Sequence, residues 1–91
     1  MKFRWASAAN AIQRYVARDS LRAAAQVRAK LARAGLALAE NPHMGRVGQL
    51  QGTREFVVRR TPYILVYRVA EDTIEVLRIM HGAQQWPPRE G

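Results

Sequence analysis

The chain has 91 residues and a formal net charge of +8, because fifteen Lys and Arg, thirteen of them Arg, outnumber seven Asp and Glu; this length predicts a single domain, residues 1–91, with a modest core. The absence of cysteine excludes disulfides and thiolate metal sites, and two histidines cannot form a closed zinc site, so we expect no metal and no cofactor. The start "MKFRWASAAN" lacks the apolar segment of a signal peptide, and no apolar run of about 18 residues occurs, so we expect a cytoplasmic protein without membrane association.

The first half of the chain predicts one short strand and two helices. Residues Lys2 to Trp5 alternate between polar and aromatic side chains, as a strand with one apolar face does. Ser7 is a candidate cap for a first helix. A second helix is predicted from Leu21 to Ala39, where apolar residues recur every three or four positions until "ENP" ends the pattern. The two helices would form a helical hairpin.

The second half predicts a loop and three strands. The segment Asn41 to Gly52 has no period and is interpreted as a connecting loop. The predicted strands are Arg54 to Arg59, Tyr63 to Val69 and Ile74 to Met80, and the short turns between them favour an antiparallel meander. The fold class is therefore α+β, with the helical hairpin packed on a small, antiparallel-dominated sheet in the order β-α-α-β-β-β.

The positive charge indicates the kind of partner. A strongly basic small domain favours polyanions, such as nucleic acid or anionic lipid, or a strongly acidic protein. The alternative interpretation is a solvated basic surface with no specific ligand.

Five segments resemble one known family when they are taken together and in order. They are "YVARDS", "NPHMGR", "GTRE", "YILVYRV" and "LRIMHGAQQWP". In this order the chain resembles the RelE/ParE superfamily of bacterial toxins from type II toxin-antitoxin modules. The resemblance implies an antiparallel sheet beneath a helical hairpin and an acidic, partly disordered antitoxin that holds the toxin inactive. It also implies one of two targets, because RelE-like members cut mRNA in the ribosomal A site and ParE-like members poison DNA gyrase.

An RNA-cleaving site would need an acid or base and cations on the phosphate. His81 follows the last predicted strand, where several RNA-cleaving relatives carry a catalytic histidine, and Arg59 and Arg60 resemble a basic pair of such relatives. Arg78 would join them on the phosphate. The alternative for His81 is a residue at the end of a strand that packs under Trp86.

Two departures from the RNA-cleaving pattern favour the ParE-like branch. Ile64 stands where RNA-cleaving members often carry an arginine, and Gly82 stands where they carry a tyrosine. The ending "HGAQQWPP" is also similar to the ends of ParE-like chains, so Trp86, His81 and Arg78 are the candidates for contact with gyrase. Trp86 is otherwise a hydrophobic latch for the chain end. A third possibility is a binding module that takes up an antitoxin without being toxic.

The remaining candidates concern the antitoxin and the strands. An acidic antitoxin is expected on the alanine-rich hairpin and an exposed sheet edge, in contact with Ile12, Tyr15, Arg22 and Arg33. Glu55 is interpreted as a base or, more simply, as the partner of a nearby arginine on an exposed strand edge. Alternation predicts that Arg78 shares an apolar face with Ile74, Val76 and Met80, and that Tyr63 and Tyr67 share a strand face as core or groove residues.

Overall fold

The computed structural model describes residues 1–6 and 21–81. In chain order the elements are β1 (Lys2–Trp5), α1 (Leu21–Glu40), β2 (Arg46–Val47), β3 (Arg54–Val57), β4 (Tyr63–Ala70) and β5 (Thr73–His81). The strands form one five-stranded sheet in the order β1-β5-β4-β3-β2. The α+β class and the predicted meander of β3, β4 and β5 are therefore confirmed.

The second of the two predicted helices is present, whereas their arrangement as a helical hairpin stays a prediction. The helix α1 begins at the predicted residue and ends at Glu40, one residue later than predicted. The first predicted helix and its cap at Ser7 lie outside the described residues. The helix α1 does not contain an apolar stretch long enough to cross a membrane. The described part of the chain holds no other helix.

The strand β1 has the predicted bounds and pairs in parallel with β5 at the edge of the sheet. Backbone hydrogen bonds support the pairing at both ends of β1, from Lys2 N to Asp72 O at 2.9 Å and from Ala6 N, one residue beyond the strand, to Val76 O at 2.8 Å. A parallel neighbour requires a long crossover between the two strands. The segment between β1 and β5 supplies it, so the start of the chain is held beside its last described strand.

The predicted loop from Asn41 to Gly52 contains a short strand, so its assignment as wholly irregular is wrong. Arg46 and Val47 form β2, which pairs with β3 in antiparallel register. The turn that follows is closed by a hydrogen bond from Gly48 N to Thr53 O at 2.8 Å. Two residues are too few to show the alternation that identifies a strand in a sequence.

The core lies between α1 and the sheet face that it covers. Leu31, Ala34 and Leu38 of the helix are buried against Val58, which follows β3, and against five sheet residues, namely Leu65, Tyr67, Ile74, Val76 and Ile79. Phe3 and Trp5 of β1 pack at the margin, with ring centroids 5.7 Å apart in an edge-to-face arrangement. The helix comes close to β1 at Gly35, where a Cβ atom would lie 2.6 Å from the Phe3 ring.

A β-bulge in β5 changes which side of the sheet its residues face. Val66 pairs with Arg78, whereas the next residue of β4, Tyr67, pairs with Val76. Leu77 is thus the extra residue, and the alternation restarts after it. The prediction that Arg78 shares a face with Ile74 and Val76 is therefore wrong, since Arg78 is exposed on the face away from α1, whereas its predicted place on the same face as Met80 is confirmed.

Candidate functional site

The sheet face opposite α1 carries a cluster of arginines, which we call the arginine face. Its members are Arg4, Arg46, Arg68 and Arg78, which come from four different strands and are all exposed. Cross-strand pairing places them in two rows. One row reads Arg4, Glu75 and Arg68, and the other reads Arg46, Glu55, Val66 and Arg78.

Glu75 is the centre of the first row. It is 5% exposed, although it lies on the face that has no covering helix among the described elements. Its carboxylate accepts a hydrogen bond from Arg4 on one side and from Arg68 Nε, at 2.7 Å, on the other. Two charge-assisted hydrogen bonds balance the cost of burying the carboxylate. Glu75 thereby ties β1 and β4 to β5.

Glu55 is the buried carboxylate of the second row. The carboxylate is 4% exposed and accepts from Arg46 Nη2 at 2.9 Å and from Arg46 Nε at 3.2 Å. Its other oxygen accepts from the Gln49 backbone N–H at 3.2 Å. The predicted pairing with an arginine is confirmed, but the expectation of an exposed carboxylate is wrong. A carboxylate held in this way fixes the β2–β3 turn.

Tyr67 fixes the loop that follows α1. Its side chain is fully buried, and its hydroxyl donates to Pro42 O at 2.8 Å and accepts from Gly45 N at 3.0 Å. Arg54 Nη1 donates to Gly45 O at 2.7 Å, so the same peptide segment is held from a second strand. Burial raises the pKa of Tyr67, and this effect outweighs the Gly45 hydrogen bond and the Arg54 charge, which lower it. The predicted interpretation of Tyr67 as a core residue is confirmed.

Replacing Tyr67 with phenylalanine should cost about 1–2 kcal/mol at neutral pH, because the Gly45 N–H and the Pro42 carbonyl lose their partner. The pKa of Tyr67 is higher in the folded state than in the unfolded state, where it is about 10. The free energy of unfolding of the wild type therefore falls as pH rises from the unfolded-state pKa through the folded-state pKa, because the unfolded state loses the proton first. The variant lacks this loss. Urea unfolding at about pH 8 and about pH 10.5 should therefore show the difference shrinking; a constant difference would contradict this explanation.

A shallow cavity opens beside this loop. It has a volume of about 270 Å³ and is lined by His43, Val47, Gly52, Thr53, Arg54 and Val69. Val47 is 76% exposed and Val69 is 39% exposed, so the cavity offers apolar surface with one guanidinium at its wall.

Three of the four residues of the predicted RNA-cleaving set belong to one end of the sheet, and the fourth, Arg78, lies elsewhere. Arg59 and Arg60 are exposed in the β3–β4 turn, where Arg60 has a φ of 64° and its carbonyl accepts from Lys30 Nζ at 3.5 Å. The backbone of His81 lies at the same end of the sheet, paired with Tyr63. Arg78 instead belongs to the arginine face. The side chain of His81 and all of Trp86 lie outside the described part of the structure.

Of the residues predicted to contact an antitoxin, Arg33 is described fully. It is exposed on α1, and its Nε donates to Ala29 O at 3.4 Å. The backbone of Arg22 belongs to α1, but its side chain lies outside the described part of the structure. Ile12 and Tyr15 lie outside it entirely. Across residues 1–6 and 21–81, no cluster of three or more metal-ligating side chains occurs.

Sequence reasoning missed Arg4, Arg46 and Arg68 as functional candidates. A signal existed for two of them, because strand alternation puts Arg4 opposite in direction to Phe3 and Trp5, and Arg68 opposite to Tyr67. Arg46 gave no such signal, since its strand was not predicted. What alternation alone cannot show is that these positions meet on neighbouring strands, which depends on the parallel placement of β1.

Comparisons with known proteins agree on one family. The model of the family described as "ParE toxin of type II toxin-antitoxin system, parDE" matches residues 6–86. "Putative toxin Y4kP" from Sinorhizobium fredii (strain NBRC 101917 / NGR234) is 47% identical over 73 residues, which cover 80% of this chain and 75% of that protein. A chain of the solved structure "Chromosomal ParDE TA system from P. aeruginosa" shares the fold, with a TM-score of 0.74 and 24% identity over 89% of this chain and 95% of that chain. The chain therefore belongs to the ParE toxin family of type II toxin-antitoxin systems.

Proposed function

We propose that this toxin stops growth by poisoning DNA gyrase rather than by cutting RNA. One observation carries the choice between the two targets. Ile64, at the position where RNA-cleaving relatives often carry an arginine, pairs across the sheet with Met80, which is 7% exposed. This apolar pair offers no positive charge to a phosphate on which negative charge accumulates during cleavage. Membership of the ParE family supports the same choice.

The second part of the proposal is neutralisation by an acidic antitoxin. The helix α1 carries Arg22, Arg28, Lys30 and Arg33 and a single acid, Glu40. Near the exposed Arg28 and Arg33 in the helix lie exposed apolar residues, namely Ala25, Ala29 and Leu36. An amphipathic segment with acidic flanks is complementary to such a surface, and long-range attraction would accelerate its binding. The contacts are expected at Ile12, Tyr15, Arg22 and Arg33.

The gyrase proposal is tested with purified proteins. Toxin released from its antitoxin should inhibit supercoiling by gyrase and increase the amount of cleaved DNA. Trp86→Ala, combined with removal of residues 87–91, should lower that inhibition at least about tenfold, equivalent to about 1.4 kcal/mol of lost interaction. The double variant Arg59→Ala/Arg60→Ala changes exposed residues that belong only to the RNA-cleaving set, and it should leave the inhibition unchanged. The opposite pattern would disprove the proposed function of the tail.

The RNA-cleaving alternative has one observation in its favour. The exposed Arg59 and Arg60 lie in the turn that precedes Tyr63, whose Cα partner is His81, so basic residues and the histidine backbone share one end of the sheet. The two functions differ in what stops first in cells. Expression of the toxin should reduce thymidine incorporation before amino-acid incorporation if gyrase is the target. An earlier collapse of amino-acid incorporation, abolished by His81→Ala and by Arg78→Ala, would establish the alternative.

A further inference from the structure

We propose that the arginine face binds the phosphate backbone of duplex DNA. The inference rests on the proposed function, since it assigns the DNA held by gyrase as a direct ligand of the toxin. It concerns a surface on the opposite side of the sheet from α1, where the antitoxin contacts are expected.

The charge of this face is organised by its two buried carboxylates. Lys2 also belongs to the face, because alternation along β1 puts it on the same side as Arg4. Among residues 1–6 and 21–81, five cations of this face therefore stand against two carboxylates, Glu55 and Glu75, and both carboxylates are buried. The side chains of Arg4, Arg46 and Arg68 are 64%, 64% and 52% exposed. The acids are thus withdrawn from solvent, whereas the positive charges are presented to it.

The ion pairs leave the guanidinium groups able to bind more. Each guanidinium has five N–H donors, and the described pairs to Glu55 and Glu75 use one or two of them. A paired arginine loses less conformational freedom on binding a phosphate, because its side chain is already oriented. Glu55 and Glu75 therefore act as positioning residues for the arginines.

The dimensions of the face match a DNA backbone. Neighbouring strands lie about 4.8 Å apart, so the four spacings from β1 to β2 span roughly 19 Å, and successive residues on one face are about 6.8 Å apart. Each strand of duplex DNA carries one phosphate per about 3.4 Å of axis. A face of this width can contact several phosphates at once.

The position of the aromatic residues favours duplex DNA over single-stranded RNA. All five aromatic residues in the described part, namely Phe3, Trp5, Phe56, Tyr63 and Tyr67, belong to the core or pack against it on the opposite face. Recognition of single strands depends on stacking of bases on aromatic side chains. The arginine face offers phosphate contacts and no aromatic ring from that set, so its binding should not depend on base sequence.

The test is fluorescence anisotropy of the full-length toxin with a labelled duplex of about 20 base pairs, over a range of salt concentrations. The double variant Arg46→Gln/Arg68→Gln should weaken binding about tenfold or more and reduce the salt dependence by about two units of slope. The matched control Arg28→Gln/Arg33→Gln removes the same charge from exposed positions on α1 and should change the dissociation constant less than about twofold. Equal weakening by both double variants would overturn the proposal, because net charge alone would then explain it.

A second double variant and a second nucleic acid complete the test. If Arg46→Gln/Arg68→Gln is unstable in urea unfolding, Lys2→Gln/Arg78→Gln removes two cations of the same face and leaves the ion pairs of Glu55 and Glu75 intact. Single-stranded RNA that binds more tightly than the duplex through the same arginines would overturn the choice of DNA. If the wild type binds duplex DNA through these arginines but does not inhibit gyrase, the proposed function fails and the inference about this face stands.

Discussion

Replacing Gly45 with valine is expected to destabilise the domain by about 3–5 kcal/mol. A Cβ atom at this position would lie 2.6 Å from the Tyr67 hydroxyl and 2.9 Å from the backbone oxygen of Glu55. The carbonyl belongs to β3 and cannot rotate away. The segment must therefore move, and it would lose the hydrogen bonds that Tyr67 and Arg54 make to Gly45.

Urea unfolding measures this loss, and two variants serve as controls. Met44→Val changes an exposed neighbour and should cost less than about 0.5 kcal/mol. Tyr67→Phe removes the oxygen atom that the new side chain would meet, so the double variant Gly45→Val/Tyr67→Phe should be more stable than the sum of the single effects predicts. Simple additivity, or a loss below about 1 kcal/mol for Gly45→Val, would show that the loop does not depend on this contact.

The sequence is sufficient to predict the bounds of those elements whose side-chain periodicity is long or unambiguous. The bounds of β1 were predicted because "KFRW" alternates without interruption. The 20-residue helix α1 was predicted to within one residue at its end, since apolar positions recur over five turns and proline follows. In both cases one face of the element is buried, and apolar residues therefore recur in the sequence with the period of a helix or a strand.

The errors have two physical causes. The strand β2 depends on its partner β3 for its existence, because two residues pair only where the following turn brings them together. The bulge at Leu77 is a second non-local feature, since it is defined by the register between β4 and β5 and leaves no mark in the composition of either strand. A single-residue shift is enough to move Arg78 from the predicted apolar face to the exposed one.

The arginine face shows why the candidate site was harder to predict than the fold. Each arginine could be assigned to one side of its own strand at best. Their convergence requires the order of the strands in space, above all the placement of β1 beside β5, which brings Arg4 next to Glu75. Sequence separation between these two residues is 71 positions, so local patterns hold no information about the contact.

Replacing Glu75 with alanine should cost about 2–3 kcal/mol, because the buried carboxylate accepts from both Arg4 and Arg68. The loss should be smaller than for a fully buried ion pair, since the two arginine side chains are 64% and 52% exposed and water can take over their hydrogen bonds. Glu75→Gln keeps an acceptor without the charge and should recover part of the loss. Glu71→Ala, an exposed acid in the preceding turn, is the matched control and should cost less than about 0.5 kcal/mol.

The location of the damage distinguishes this explanation from a general loss of stability. Arg4 is held to β5 by Glu75 and by backbone pairing, so loss of the carboxylate should weaken β1 first. Amide hydrogen exchange in Glu75→Ala should therefore accelerate at Lys2 and Ala6, whose N–H groups donate to the β5 side, before it accelerates at Leu65 and Val66 in the centre of the sheet. Uniform acceleration in all strands would mean that Glu75 stabilises the domain as a whole and does not specifically anchor its first strand.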